Sequence, residues 1–535
     1  MPDFTYEFPY PSQRLPVFAK NAVATSQPLA AQAGLDMLQR GGNAADAAVA
    51  TAIALTVVEP TSNGIGSDNF ALIWAGGGLH GLNASGRAPR AMTPDHYSGM
   101  ERIPYYGWHG VTTPGAVSGW VAVSEKFGAL PFADLFEPAI RYAREGFLVS
   151  PQTAYYWNLG ASRYDGDEFK AWHDTFAPGG RAPQTGELFR SEGHARTLER
   201  IAETKGEAFY RGDLAEKIAA ASQAGDGALS MRDLESHQAD WVRPISLDYH
   251  NHELHEIPPN GQGLAALLML GVVREFDMPS LAVDSVEALH LQIEAMKVAF
   301  ADGHRYIADP DAMDVAAADL LDPAYLRERA RLIDPDKAQD FQHGEPKHGG
   351  TVYLTAADAD GMMVSFIQSN YTGFGSGMVV PGTGIALQNR GCCFTLEKGH
   401  PNEVGPGKRP YHTIIPGFVT TRTGGSIEPL MSFGVMGGFM QPQGHAQVLI
   451  RIADWNQNPQ AALDAPRWRV NDGMSVTIEP GFDASLYDGL EALGHEVTIA
   501  NARTVSHGRG QIIYRLDDGY LAASDQRSDG QAVGY

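Results

Sequence analysis

The run HGGTVYLTAADADGMMVSFI, residues 348–367, limits what this chain can fold into more sharply than any other stretch. Two apolar runs, 352–355 and 362–367, flank Asp358-Ala359-Asp360-Gly361, and together they read as a β-hairpin. The first strand opens on Thr351 with only Gly349 and Gly350 behind it. On one reading this is ordinary turn chemistry. On the other, Thr351 is a nucleophile in waiting. A threonine hydroxyl needs a base close by. Cleavage between Gly350 and Thr351 would supply one, a new α-amino group whose reference pKa of about 7.7–8 leaves a fraction unprotonated at neutral pH. The same hydroxyl could make the cut by attacking the carbonyl of Gly350, a residue with no side chain in the way and with tolerance for a strained backbone.

Composition narrows the class. With 535 residues, 43% hydrophobic and 19% charged, the chain can bury a large core as one unit or two interlocked ones. Lys+Arg 40 against Asp+Glu 63 gives a net charge of −23 with no local basic patch, which argues against nucleic acid and anionic lipid as partners. The opening MPDFTYEFPYPSQRLPVF has acids and prolines where a signal peptide needs a basic start and an apolar stretch, so cytoplasmic residence is expected. The segment 44–58 contains Asp46, Thr51 and Thr56 and is too short to cross a bilayer, so it reads as a buried helix. Cys392 and Cys393 are adjacent and are expected to be free thiols.

Along the chain, 22–25 reads as a strand, and Ser26 is placed to cap a helix from Pro28 to about Arg40. A helix over 44–58 and a strand over 69–74 follow, separated by a turn-rich loop. Between about 115 and 335 the pattern is mostly helical, clearest at 286–307, with Asp284 or Ser285 as cap. An Asp/Pro/Lys-rich separator at about 333–350 is expected to lie exposed and mobile, ahead of a strand-rich C-terminal part.

Several segments, in order, resemble the γ-glutamyltransferase family of N-terminal-nucleophile hydrolases over nearly the whole chain. They are LQRGGNAADAAVATAIALTVVEP (38–60), TTPGAVSGW (112–120), PPNGQG (258–263), EAMKVAFADGHRYIADP (294–310), TVYLTAADADG (351–361), GFGSG (373–377), GKRP (407–410), GVMGGF (434–439) and DAPRW (464–468). The resemblance implies an α/β (α+β) fold, a four-layer αββα sandwich with two central antiparallel sheets built jointly by both halves. It implies self-cleavage into a large segment, 1–350, and a small one, 351–535, that starts with the catalytic Thr351. It implies no cofactor and no catalytic metal. The partners implied are a small-molecule amide and the two processed chains for each other, with a dimer of such heterodimers as a further option.

Roles carry over by position. Ser369 stands where the family has a threonine whose hydroxyl bonds the nucleophile. Gly437 and Gly438 stand where backbone N–H groups bind the oxyanion, after a strand-like run at 430–435 and before a helix from about Gly444. The clamp for a γ-glutamyl group is rewritten: Ser85 replaces its arginine, with Arg87 two residues on, Tyr371 its asparagine, Arg390 its glutamine and Cys393 its aspartate. His412 and Thr413 replace the paired serines after KRP, and the short segment 394–408 implies that the lid loop of many relatives is absent. Losing the acidic partner for a substrate ammonium while gaining Arg390 favours a compact acidic amide without an α-amino group, oxamate-like, held through Arg390 or Arg87. Tyr371, His412 and Thr413 join them as candidate substrate contacts.

Four rival readings stand beside this one. A true γ-glutamyltransferase or glutathione hydrolase keeps the same nucleophile. A zinc-dependent hydrolase would use His250, His252 and His255, of which 250 and 252 would share a strand face. Cys392 or Cys393 as nucleophile would need a histidine beside it. A drifted, inactive scaffold would not be expected to keep Thr351, Ser369 and the glycine pair.

Overall fold

The structure, a computed structural model, describes residues 13–341, 350–501 and 506–535. Gly350–Ala357 and Met363–Tyr371 pair antiparallel, and Gly361 closes their turn at φ 92°, in the left-handed region open to glycine. Alternation sorts the side chains: Val352, Leu354 and Ala356 join one core cluster, Tyr353 and Ala357 another. Burying a Val or Leu side chain contributes roughly 1.5–3 kcal/mol. A one-residue slip would swap the two faces, so the register is firmly set.

Two seven-stranded sheets carry the fold. One runs Gln531–Gly534, Ala22–Thr25, Gly350–Ala357, Met363–Tyr371, Asp68–Ala75, Gly78–Ala84, Asp240–Val242. The other runs Val17–Ala19, Gly519–Ser524, Arg509–Leu516, Ser426–Met436, Gly417–Thr423, His252–Glu256, Ile245–Tyr249. All neighbours within both sheets are antiparallel. Between the sheets lie Phe70, Leu72, Trp74, Tyr353, Ile367, Phe418 and Ile513. Helices Pro28–Gln39, Ala44–Val58 and Ala116–Phe127 cover the outer face of the first sheet, and Gly263–Val273, Val286–Tyr306 and Met440–Ala453 that of the second. The result is the four-layer αββα sandwich. Each sheet takes strands from both sides of position 350, so neither segment completes a sheet alone.

The alanine-rich helix Ala44–Val58 is buried along its length. Asn43 caps it by accepting from Ala45 N and Asp46 N, while Asp46 returns the bond to Asn43 N. Pro60 follows one residue after its C-cap, Glu59, and disfavours a helical conformation there. Asp358 in the hairpin turn accepts from Ala44 N at 2.8 Å, placing a carboxylate on the positive helix end. That bond ties the hairpin to the first half of the chain.

Four expectations change. The cap of Pro28–Gln39 is Gln27, whose side chain accepts from Leu29 N and Ala30 N, because Ser26 donates instead to Glu59. The helix after the glycine pair starts at Met440 rather than about Gly444, since Pro442 falls in the first turn, where no intrahelical N–H bond is lost. The mostly helical region 115–335 also contributes Asp240–Val242, Ile245–Tyr249 and His252–Glu256 to the sheets, strands whose polar faces hid them. Of the separator, 342–349 lies outside the described residues, Gly349 included; in 333–341 the side chains of 334–337 and 340 are exposed as expected, but the segment is anchored at two points. Ile333 and Ala338 are buried, Gln339 N donates to Glu294, and Ala338 N donates to the Leu493 carbonyl.

Candidate active site

Thr351 is buried on the inter-sheet side of its strand. Val352 pairs with Gln368 and Gly350 with Tyr371, so the partner strand carries one extra residue opposite Thr351. Such a bulge re-aims side chains. Tyr371 at its end has φ 75°, strained for a bulky residue. Across this irregularity Ser369 Oγ lies 3.0 Å from Thr351 Oγ1. Ser369 Oγ also accepts from Tyr371 N at 2.8 Å and from Arg390 Nη2 at 3.3 Å.

Arg390 opens the short turn Arg390–Cys393 and is 0% exposed. Its other terminal nitrogen donates to Thr413 Oγ1 at 2.7 Å and approaches Cys393 Sγ at 4.0 Å, and the guanidinium lies 4.5 Å over the Tyr371 ring. Among the described residues no carboxylate comes within ion-pair distance of it. A buried cation without a counter-ion is costly. The site is therefore poised for an anion.

The glycine pair connects to the same cluster. Gly437 and Gly438 leave the strand Ser426–Met436 at φ 142° and 63°, and among the described residues neither N–H is engaged in a hydrogen bond. Gln262 Nε2 donates to Gly438 O at 2.8 Å and to Thr413 O at 2.6 Å. A continuous set of contacts thus runs Thr351, Ser369, Arg390, Thr413, Gln262, Gly438. Open backbone donors joined by such a chain of contacts to a buried hydroxyl can serve acyl chemistry.

Asp68 was not singled out from the sequence, yet it pairs in register with Ser369 and faces the same inter-sheet space. It accepts from Gly86 N and Gly115 N and lies 3.1 Å from His412 Nε2. Burial raises its carboxyl to about 7, against the pull of Arg390 and the two backbone N–H groups. Burial also pushes the His412 imidazole well down, with Arg390 and Arg409 adding to the shift. One signal was available: Asp68 is the sole Asp, Glu, Lys or Arg between Glu59 and Arg87. Gln262 gave no signal beyond its place in PPNGQG.

Other candidates lie elsewhere. Arg87 is a surface residue, 46% exposed, paired with Asp309 at 3.4 Å and Asp240 at 3.8 Å. None of its contacts reaches the Thr351 cluster. Ser85 is buried and donates to Asn83. His250 sits in a turn at φ 53° and pairs with Asp454, while His255 bonds Thr420, so the three histidines do not converge. His290, Glu294 and His495 do have ligand-like spacing. But Lys297 Nζ lies 2.8 Å from Glu294 and 3.4 Å from His495, where a cation would go, and the group holds Asp334 and Gln339 of the docked separator. Cys392 and Cys393 are unpaired thiols. Neither thiol bonds a histidine.

A cavity of about 510 Å³ opens beside the cluster. Tyr371, Cys393, Phe439 and Tyr411 form its floor side, and the short segment after Cys393 forms a wall through Phe394, Leu396 and Asn402. Asn402 Nδ2 donates to Cys393 O and Lys408 Nζ to Pro401 O and Glu403 O, which holds that wall in place.

A family profile described as gamma-glutamyltranspeptidase matches residues 30–535. The chain is 36% identical to the oxamate amidohydrolase proenzyme of Klebsiella pneumoniae, over 95% of this chain and 97% of that one. It is 35% identical to the glutathione hydrolase-like YwrD proenzyme of Bacillus subtilis, over 96% and 98%. Among solved structures, cephalosporin acylase from Bacillus halodurans superposes with a TM-score of 0.95 at 51% identity, covering 100% of this chain and 99% of that one. The chain belongs to the γ-glutamyltranspeptidase family and is an enzyme of the amide-cleaving, acyl-transferring N-terminal-nucleophile hydrolases.

Proposed function

We propose that the protein cuts itself between Gly350 and Thr351 and then hydrolyses a small acidic amide of the oxamate kind through an acyl-enzyme on Thr351. The observation that carries this reading is the buried Arg390, without a carboxylate partner among the described residues and one hydroxyl away from Thr351. In oxamate the carboxylate is bonded directly to the amide carbonyl. A guanidinium so close to the nucleophile suits that spacing.

In the first step Thr351 Oγ1 attacks the Gly350 carbonyl, giving an ester that water hydrolyses to free the Thr351 α-amino group. That amine then serves as base for attack on the substrate carbonyl. Ser369 Oγ, already accepting two hydrogen bonds, is suited to donate to Thr351 Oγ1 and stabilise it as charge develops. Gly437 N and Gly438 N receive the oxyanion, and Thr413 and Tyr371 hold the Arg390 fork in its plane. His412 and Asp68 form the wall behind it. The two chains, 1–350 and 351–535, stay together through their shared sheets, and heterodimers pair further. The unpaired thiols fit a reducing compartment such as the cytoplasm.

Denaturing mass spectrometry of wild type should give two fragments meeting at 350/351, and Thr351→Ala a single inactive chain; cleavage of that variant at 350/351 without added protease overturns the proposal. The substrate half is read from kcat/KM for oxamate and related short amides against γ-glutamyl anilides and glutathione. A missing partner for the substrate ammonium costs ~2–5 kcal/mol, roughly 30- to 4000-fold against γ-glutamyl groups. Efficient γ-glutamyl turnover would instead make this a γ-glutamyltransferase.

A further inference from the structure

The mechanism leaves one reactive group unused, the Cys393 thiol. It stands on the turn Arg390–Cys393, 4.0 Å from Arg390 Nη1, and faces the 510 Å³ cavity. Arg390 is fully buried, sits against the lining residues Cys393 and Tyr371 without itself lining the cavity, and has no carboxylate within ion-pair distance among the described residues, so its charge favours an anion at the Cys393 side of that cavity. Burial acts to raise the Cys393 thiol, but the neighbouring Cys392 side chain, the charge of Arg390 and the Tyr371 hydroxyl outweigh it and bring it to about 7. Its neighbour differs. Cys392 Sγ donates to Asn389 O at 2.8 Å, and burial pushes that thiol well up. One of the two adjacent thiols is thus activated and the other is held protonated.

We propose that Cys393 is a modification site, at which a small carboxylate-bearing disulfide exchanges to leave a mixed disulfide that fills the ground beside Arg390 and stops acyl transfer. The Cys393 thiolate attacks one sulfur of the disulfide, the S–S bond breaks, a new S–S bond forms to Cys393, and the other half leaves as a thiolate. No other oxidant is needed. The adduct's carboxylate lands where the proposed substrate carboxylate would, so the inference rests on Arg390 being the anion site. Excess free thiol reverses the reaction.

The test uses purified, processed enzyme. It is incubated with oxidised glutathione, which carries carboxylates, or with cystamine, which carries only ammonium groups, and is read by peptide mass spectrometry and by residual activity on whichever amide it turns over fastest. The expected result is one glutathionyl adduct per chain on Cys393, formed at least tenfold faster than the cystamine adduct. Activity should fall in step with labelling and return with dithiothreitol. Malonate, a dicarboxylate without a scissile bond, should slow labelling. Cys393→Ser should keep the same activity with and without oxidised glutathione, whatever its starting value, and Cys392→Ser should behave as wild type. Labelling on Cys392, labelling indifferent to malonate, or a fully labelled enzyme that stays active would overturn the proposal. The mass readout does not depend on the substrate, so a wrong substrate assignment leaves this result interpretable.

Discussion

Arg467 and Arg390 are two guanidinium groups buried to the same degree. Arg467 sits against Asp525 at 2.8 Å and donates to the carbonyls of His507, Gly508 and Leu463. Arg527 joins it, bridging Asp525 and Glu479. Burial works to raise the Asp525 carboxyl, yet Arg527 and Arg467 hold it down at about 2. Among the described residues the terminal nitrogens of Arg390 meet only hydroxyls, a ring face and a thiol, with the Asp68 carboxyl beyond ion-pair distance. The Nε of each arginine bonds nothing, so the contrast lies wholly in the terminal nitrogens and the counter-charge. A structural arginine brings its own anion. A ligand-binding arginine waits for one.

The widest break of this comparison swaps each arginine for methionine, which keeps length and removes charge. Removing one partner of a buried pair costs about 3–5 kcal/mol. Because Arg527 stays beside Asp525, Arg467→Met should lose about 3 kcal/mol in urea unfolding, with kcat/KM of the folded enzyme within a few-fold of wild type. Arg390→Met should do the reverse, keeping its unfolding midpoint while kcat/KM for acidic amides falls roughly 30- to 4000-fold. Equal stability losses in the two variants would erase the distinction.

The glycine pair sharpens it at the proposed oxyanion site. A Cβ on Gly437 would lie 3.2 Å from Gly508 Cα and from Met440 Cβ, at φ 142° where side chains are rarely found. Gly437→Ala should rotate its N–H and lower kcat by about 10²–10³, the cost of one oxyanion donor. Its melting temperature should fall by only a few degrees. A variant that loses stability and turnover in equal measure would assign the glycine to packing.

Asp68 tests the local field that Arg390 helps set. Its carboxyl is raised from 3.8 to about 7 by burial. Between those values the unfolded chain is ionised while the native one holds its proton, so the native state loses stability as pH climbs from about 4 to 7 and then levels off. At 1.36 kcal/mol per unit the full drop is roughly 4 kcal/mol. Asp68→Asn should flatten that slope in unfolding measured at pH 4 to 8. An unchanged slope would mean that Asp68 is already ionised at low pH.

Much of this was legible in the sequence because its signals are local. The period-two run 352–357 and the Asp-Ala-Asp-Gly turn specify the hairpin, and glycine behind Thr351 marks the proposed cut. Asn43, three residues before Asp46, writes its own helix start. Asp68 and Gln262 were missed because their importance comes from register and from a contact across 176 residues, to Gly438. The docking of 333–341 was hidden for the same reason. Its polar composition describes a surface, but Glu294 and Lys297 on a distant helix face bind its backbone. Arg87 shows the converse case, a plausible residue type two positions from a motif, whose charge is paired with Asp309 and Asp240.

Arg87 therefore supplies the last and smallest test. It is as cationic as Arg390 and was also a candidate from sequence, but its guanidinium is half in water and faces two carboxylates at 3.4 and 3.8 Å. Exposed pairs of that kind are worth about 0–1 kcal/mol because water and salt screen them. Arg87 also donates to Gly407 O, so some local order rests on it. Arg87→Ala should shift unfolding by less than about 1 kcal/mol, with kcat/KM for an acidic amide within about twofold of wild type, since 0.4 kcal/mol or less at the site corresponds to that ratio. A KM raised tenfold or more for acidic amides, with kcat unchanged, would show that the substrate carboxylate reaches the surface. Arg390 would then need another explanation for its missing anion.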